Sequence, residues 1–162
     1  MNGELHRPIT DEEIATYQRD GVVCLRGFFD SDWVEHLRKQ VDADMAEPSP
    51  MRKNVDAEEG EKGFFFDTFI SHHLEGFEKV VRESPGAEIA GKLMRSNKIN
   101  LLFDQLLIKD PGATTRTVWH HDATYWPVSG NQICTLWLAL DLVTHETGAV
   151  EYIKGSHLWG QR

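Results

Sequence analysis

Residues 119–127 read WHHDATYWP. Two histidines and a carboxylate stand together among bulky aromatics, and the backbone they ride on decides the fold. On an extended segment, residues i and i+2 point to the same face, so His120 and Asp122 project together and His121 points the opposite way. One imidazole nitrogen and one carboxylate oxygen on one face can hold two adjacent positions of an octahedral ion. A second histidine from a distant strand would complete a 2-His-1-carboxylate facial triad, whose open positions suit non-heme Fe(II). The plainer alternative is a pair of core histidines beside a surface acid. The spacing alone is not decisive, because His73-Leu74-Glu75 shares it. That triplet falls in a helical stretch, where i and i+2 diverge by more than half a turn. We read His72, His73 and Glu75 as a solvated helix face, and His6, His36 and His145 as ordinary polar-segment histidines.

Working outward from residue 119, the chain from 99 onward is expected to be β. An apolar run over 99–109 is turned by Pro111-Gly112, and 117–126 is expected as the strand carrying the pair. A third strand is expected over 133–143, with Ile133, Thr135, Trp137 and Ala139 on one face. Glu146-Thr147-Gly148 turns the chain into a fourth over 149–153.

The first part of the chain has helical signals. Thr10 and Glu13 form a capping-box pattern, predicting a helix with Ile14 and Tyr17 inward that stops by Gly21. Residues 22–25 are expected as a short buried strand. A second helix, capped by Asp30 or Ser31, carries Trp33, Val34, Leu37, Val41 and Met45 at helical spacing, a stripe that core packing explains. Pro48 and Pro50 open a loop over 47–63. Phe64-Phe65-Phe66 marks a strand or a buried anchor. A helical region follows over 72–94, broken near Ser84-Pro85-Gly86, with Leu74, Phe77, Val80 and Val81 as its apolar face.

Helices first and strands later predict one mainly-β domain of α+β type over 1–162. Residues 1–98 form a helical layer, and 99–162 form an antiparallel sandwich or barrel. Four strands do not close a sandwich, so the fold is expected to run past residue 162.

Composition narrows the function. A chain of 162 residues, 40% hydrophobic and 27% charged, fits a globular protein. Its formal net charge of −9 repels phosphate backbones, which argues against nucleic acid and anionic membranes as partners. No apolar run is long enough to span a bilayer, and the N-terminus lacks the apolar core of a signal peptide. Cys24 and Cys134 sit in apolar segments and read as buried thiols of a reducing, cytoplasmic setting.

The order of motifs adds a resemblance. The strand ending in Lys109-Asp110-Pro111-Gly112 precedes His120-x-Asp122. Tyr125-Trp126-Pro127 and the strand bearing Trp137 follow, then Gly148 and Gly155-Ser156-His157. Near the N-terminus, an acidic helix start leads to RDGVV and then to Phe28-Phe29 before a capped helix. This arrangement resembles the phytanoyl-CoA dioxygenase family of Fe(II)/2-oxoglutarate-dependent oxygenases, over nearly the whole chain. The resemblance implies a double-stranded β-helix (a cupin-like jelly roll), incomplete in this chain. It implies Fe(II) as cofactor, 2-oxoglutarate as co-substrate, and dioxygen and a small organic molecule as partners.

By the same resemblance His120 and Asp122 are iron ligands. Lys109 matches a lysine placed near 2-oxoglutarate. It shares a strand face with Gln105, Phe103 and Leu107, and its ammonium could pair with a co-substrate carboxylate; the plain alternative is a strand-end lysine. Gln105 is a further co-substrate candidate. Trp137 matches a position beside the co-substrate, or else is a core tryptophan. Tyr125 and Trp126 would line the substrate mouth. The third ligand, a histidine, and an anchoring arginine are expected beyond residue 162. His157 matches a turn position and not a ligand, and Arg162 comes too early to be the anchor. Halogenating relatives carry a small residue in place of the carboxylate; Asp122 keeps it, which favours hydroxylation. Three alternatives stay open: a metal-dependent cupin isomerase, a catalytically incomplete fragment, or a non-enzymatic cupin-like metal- or ligand-binding module.

Overall fold

The structure is a computed structural model that describes residues 1–55, 63–113 and 116–160. In chain order the elements are α1 (Asp11–Asp20), α2 (Ser31–Ala46), β1 (Lys53–Val55), β2 (Phe64–Thr68), α3 (Glu75–Glu83), α4 (Gly86–Met94) and β3 (Gln105–Lys109). Short 3-10 turns lie at Ile70–His72, Asp122–Tyr125, His145–Thr147 and Ser156–Leu158. These elements divide between two compact units. One comprises Met1, 31–84 and 100–117; the other comprises 2–30, 85–99 and 118–162.

In the first unit the strands form an antiparallel sheet in the order β1-β2-β3. The β2–β3 ladder runs from Phe64 opposite Lys109 to Thr68 opposite Gln105. Strand alternation puts Phe65 and Asp67 on the buried face, and Leu106, the partner of Asp67, is buried with them. Lys109, Leu107 and Gln105 fall on the opposite face, and Leu107 is exposed. Trp33 and Leu37 of α2, Ile70, and Phe77 of α3 are this unit's other large buried side chains. Each contributes roughly 1.5–3 kcal/mol by leaving water. The turn after β2 is tied to the approach to β3. Ser71 donates its backbone N–H and its hydroxyl to the Asp104 carboxylate, both at 2.9 Å.

The second unit is built on α1 and α4. Thr10 and Glu13 complete the capping box, and Gly21 ends α1 in the left-handed conformation at φ 77°. Ile9, Phe28, Ile89 and Leu93 are buried together, with Ile14, Tyr17, Val23 and Leu25 packed against them. The Gln18 amide donates to the Leu93 carbonyl. The Ser156–Leu158 turn docks on the end of α1: Gly155 N–H donates to Asp20 O at 2.8 Å, and the His157 ring meets Gln18 O at 3.2 Å. A Cβ at Gly21 would stand 2.3 Å from His157 Nδ1, so this approach requires glycine.

Several expectations are corrected. Among the described residues, 22–25 form no strand; Val23 and Leu25 instead pack into the α1–α4 core, and Cys24 is exposed. The loop expected over 47–63 contains β1, while its residues 56–62 lie outside the described residues. The apolar run 99–109 is a strand only over Gln105–Lys109. The strands expected at 117–126, 133–143 and 149–153 are absent among the described residues. Locally the backbone is still extended, with φ −106° and ψ 126° at His121. Period-2 patterning reports an extended chain, but a strand also needs a ladder partner, and among the described residues these segments have none. The jelly roll is accordingly not seen as a whole; the sheet present has three antiparallel strands. Among the described residues no helix is long and apolar enough to cross a membrane.

Candidate metal centre

Extended backbone at His121 sets His120 and Asp122 on one side, and the 3-10 turn opening at Asp122 then bends the chain away. Thr124 closes that turn by donating its N–H and its hydroxyl to His121 O, at 3.1 and 2.8 Å. The result brings His120 Nε2 within 3.1 Å of Asp122 Oδ1. The His121 ring lies instead against Trp159, with centroids 6.3 Å apart. Tyr125 sets its ring edge-on to His120 at 5.8 Å.

Both donors are held from behind. His120 Nδ1 lies 2.7 Å from Val118 O. A carbonyl can only accept, so Nδ1 carries a proton, and a ring without a second proton presents its Nε2 lone pair. Thr135 donates its hydroxyl to Asp122 Oδ2 at 3.1 Å, leaving Oδ1 toward the histidine. Nε2 and Oδ1 are then two acceptors facing each other. Only positive charge reconciles them: a second ring proton or a metal ion. With ligand distances of about 2.1 Å, adjacent octahedral donors stand about 3.0 Å apart. The observed 3.1 Å fits two such vertices. The side chains of His120 and Asp122 keep 34% and 47% of their surface exposed, so the pair is open to solvent. Burial, and secondarily the Asp122 charge, push the Tyr152 phenol above its ordinary pKa.

The pair supplies two donors. Among the described residues no group of three or more His, Cys, Asp or Glu side chains comes together as a metal site. The remaining candidates stand apart from the pair in kind. Gln105 and Lys109 belong to β3 of the other unit. There Gln105 reaches Thr68 Oγ1 at 3.5 Å, and Lys109 Nζ lies 5.1 Å over the Phe64 ring. Trp137 is 42% exposed. His157 serves the docking turn described above, and Arg162 lies outside the described residues. The solvated helix face expected for His72, His73 and Glu75 is corrected: His72 ends a 3-10 turn, His73 follows it, Leu74 is extended, and only Glu75 stands on a helix, as the first residue of α3. His73 meets Glu47 O, and His36 on α2 meets Gly76 O. Sequence reasoning missed Thr135, Val118 O and Tyr152. One signal was present for Thr135: it is the polar member of the otherwise apolar row Ile133, Trp137 and Ala139.

A sequence model of the family described as phytanoyl-CoA dioxygenase (PhyH) matches residues 17–162. The chain belongs to the phytanoyl-CoA dioxygenase family. Membership suggests an Fe(II)/2-oxoglutarate-dependent oxygenase kind of function and a cupin-type fold. Among curated proteins the chain is similar to phytanoyl-CoA dioxygenase domain-containing protein 1 of Danio rerio. The two are 25% identical over 192 aligned positions, covering 92% of this chain and 66% of that relative. No solved structure matches this chain.

Proposed function

We propose that this member of the phytanoyl-CoA dioxygenase family is a non-heme Fe(II)/2-oxoglutarate-dependent dioxygenase that hydroxylates a small organic substrate, with His120 and Asp122 as two of its metal ligands. The observation that supports this reading is the 3.1 Å approach of His120 Nε2 to Asp122 Oδ1, a spacing that two adjacent ligands of one octahedral ion would take. When bound, Fe(II) would supply dioxygen activation coupled to decarboxylation of 2-oxoglutarate. His120 offers a neutral nitrogen because Val118 O holds its one proton at Nδ1. Asp122 offers one anionic oxygen and offsets part of the ion's charge. Tyr125 puts aromatic surface beside the pair, which favours an apolar C–H-bearing group near it. Lys109, Gln105 and Trp137 are assigned to the co-substrate by family resemblance.

A second reading is a catalytically incomplete, non-enzymatic metal-binding module. Anaerobic titration with Mn(II), followed by an assay for succinate from 2-oxoglutarate under air with Fe(II), separates the two. The oxygenase reading expects metal binding and succinate formation, with His120→Ala and Asp122→Ala each losing both. Binding without succinate selects the module. A wild-type chain that binds Mn(II) no better than the two alanine variants overturns both readings.

A further inference from the structure

We propose that Thr135 is a positioning residue for Asp122, its hydroxyl holding the outer carboxylate oxygen so that a single oxygen faces the ion. This role rests on the reading of His120 and Asp122 as ligands and adds a residue to it.

The last torsion of an aspartate side chain is broad and two-fold. An untethered carboxylate would therefore turn both oxygens onto a cation, or swing away from one. Thr135 removes that freedom by donating to Oδ2 at 3.1 Å, while Oδ1 stands 3.1 Å from His120 Nε2. Threonine suits the task. Its hydroxyl has one proton to give, and its branched Cβ stiffens the torsion that aims it. The residue reaches the ligand from thirteen positions along the chain, so it is not part of the turn that carries Asp122.

The tether has a purpose. A carboxylate that gives a single oxygen would occupy one position on an octahedral ion, whereas one gripping with both would occupy two and leave fewer for other ligands. Val118 O does the matching work at His120, fixing which nitrogen is free.

The test uses Co(II) alone as the probe, with the intact chain and its Thr135→Val, Thr135→Ser and Asp122→Ala variants. Thr135→Val keeps the shape and deletes the hydroxyl. Its Co(II) affinity is expected to fall about ten- to a hundredfold. Its visible Co(II) bands should also change intensity as the coordination number changes, which a merely structural role would not produce. Thr135→Ser, which keeps the hydroxyl, should stay within about threefold of wild type, on the scale of that loss. Melting curves show whether the valine variant is folded, and Thr135→Ala replaces it if it is not. Wild-type affinity and an unchanged spectrum in the hydroxyl-less variant overturn the positioning role and leave the ligand reading standing. A serine variant as weak as the valine one also overturns it. Co(II) binding that Asp122→Ala does not weaken removes the ligand reading, and the role of Thr135 with it.

Discussion

Asp44 on α2 is fully buried, and neither of its carboxyl oxygens meets a hydrogen-bond partner in good geometry among the described residues. Asp67 stands near it, already accepting from the Ser49 backbone N–H at 3.0 Å and from the Ser49 hydroxyl. Burial first, and the Asp67 charge second, raise the Asp44 pKa above the ordinary carboxylate range, while Arg52 and His73 pull the other way. With the folded value above the unfolded one, the native state binds the extra proton. The contribution of Asp44 to stability is therefore complete below about pH 3.9 and is lost as pH rises through the raised value. Asp44→Asn, which is uncharged and close in shape, should be more stable than wild type at pH 8 by about 1–3 kcal/mol, and the gap should shrink toward pH 4. Thermal melts across that range read it directly. Parallel curves for the two proteins would show that Asp44 carries no such burden.

At the scale of elements, α1 shows what local signals can do. Its capping box is complete, and Glu13 also takes a two-pronged ion pair from Arg7, at 2.7 and 2.9 Å. The Arg7 hydrogen bonds first, and the Thr10 backbone N–H second, hold the Glu13 pKa down at about 2. A depressed carboxylate stabilises the fold above its unfolded pKa of about 4.3, and that stability is lost as pH falls through about 2. Glu13→Gln keeps the capping pattern and drops the charge. Its stability difference from wild type should vanish between pH 4.3 and pH 2, as followed by circular dichroism. Thr10→Ala should cost about 1 kcal/mol above about pH 4.3, where Glu13 is charged and accepts from the Thr10 hydroxyl. Elements of this kind were legible in the sequence because a helix satisfies its backbone within itself. Its cap and glycine stop give α1, and the Ser84-Pro85-Gly86 break separates α3 from α4, while α3 begins at Glu75, after the expected start, without a side-chain cap. Strands need a partner elsewhere in the chain. The Phe64-Phe65-Phe66 run and the end of the 99–109 run found one in each other, and 133–143 did not.

For the whole molecule, the candidate site was legible as a pair and illegible as a site. The spacing of His120 and Asp122 follows from extended backbone whether or not a ladder forms. Thr135 and Val118 O depend on how 118–160 folds back, and no periodicity encodes that. This long segment has turns but no ladder among the described residues, and Val118, Tyr125, Leu142 and Leu158 are more than two-thirds exposed. Hydrogen exchange should therefore grade the chain. Amides in α1, α4 and the β2–β3 ladder should be protected more strongly than those over 126–131. Protection over 126–131 as strong as in the β2–β3 ladder would mean that this backbone has partners beyond those described.

The grip of the Ser156–Leu158 turn on the end of α1 also sets a timetable. His157 meets a carbonyl 139 positions before it. At about 5–20 residues per second, roughly 7–28 s of ribosomal synthesis separates the two. Through that interval α1 and its left-handed glycine wait with this end uncovered, so this end of α1 depends on its own cap and early packing until residues 155–158 emerge.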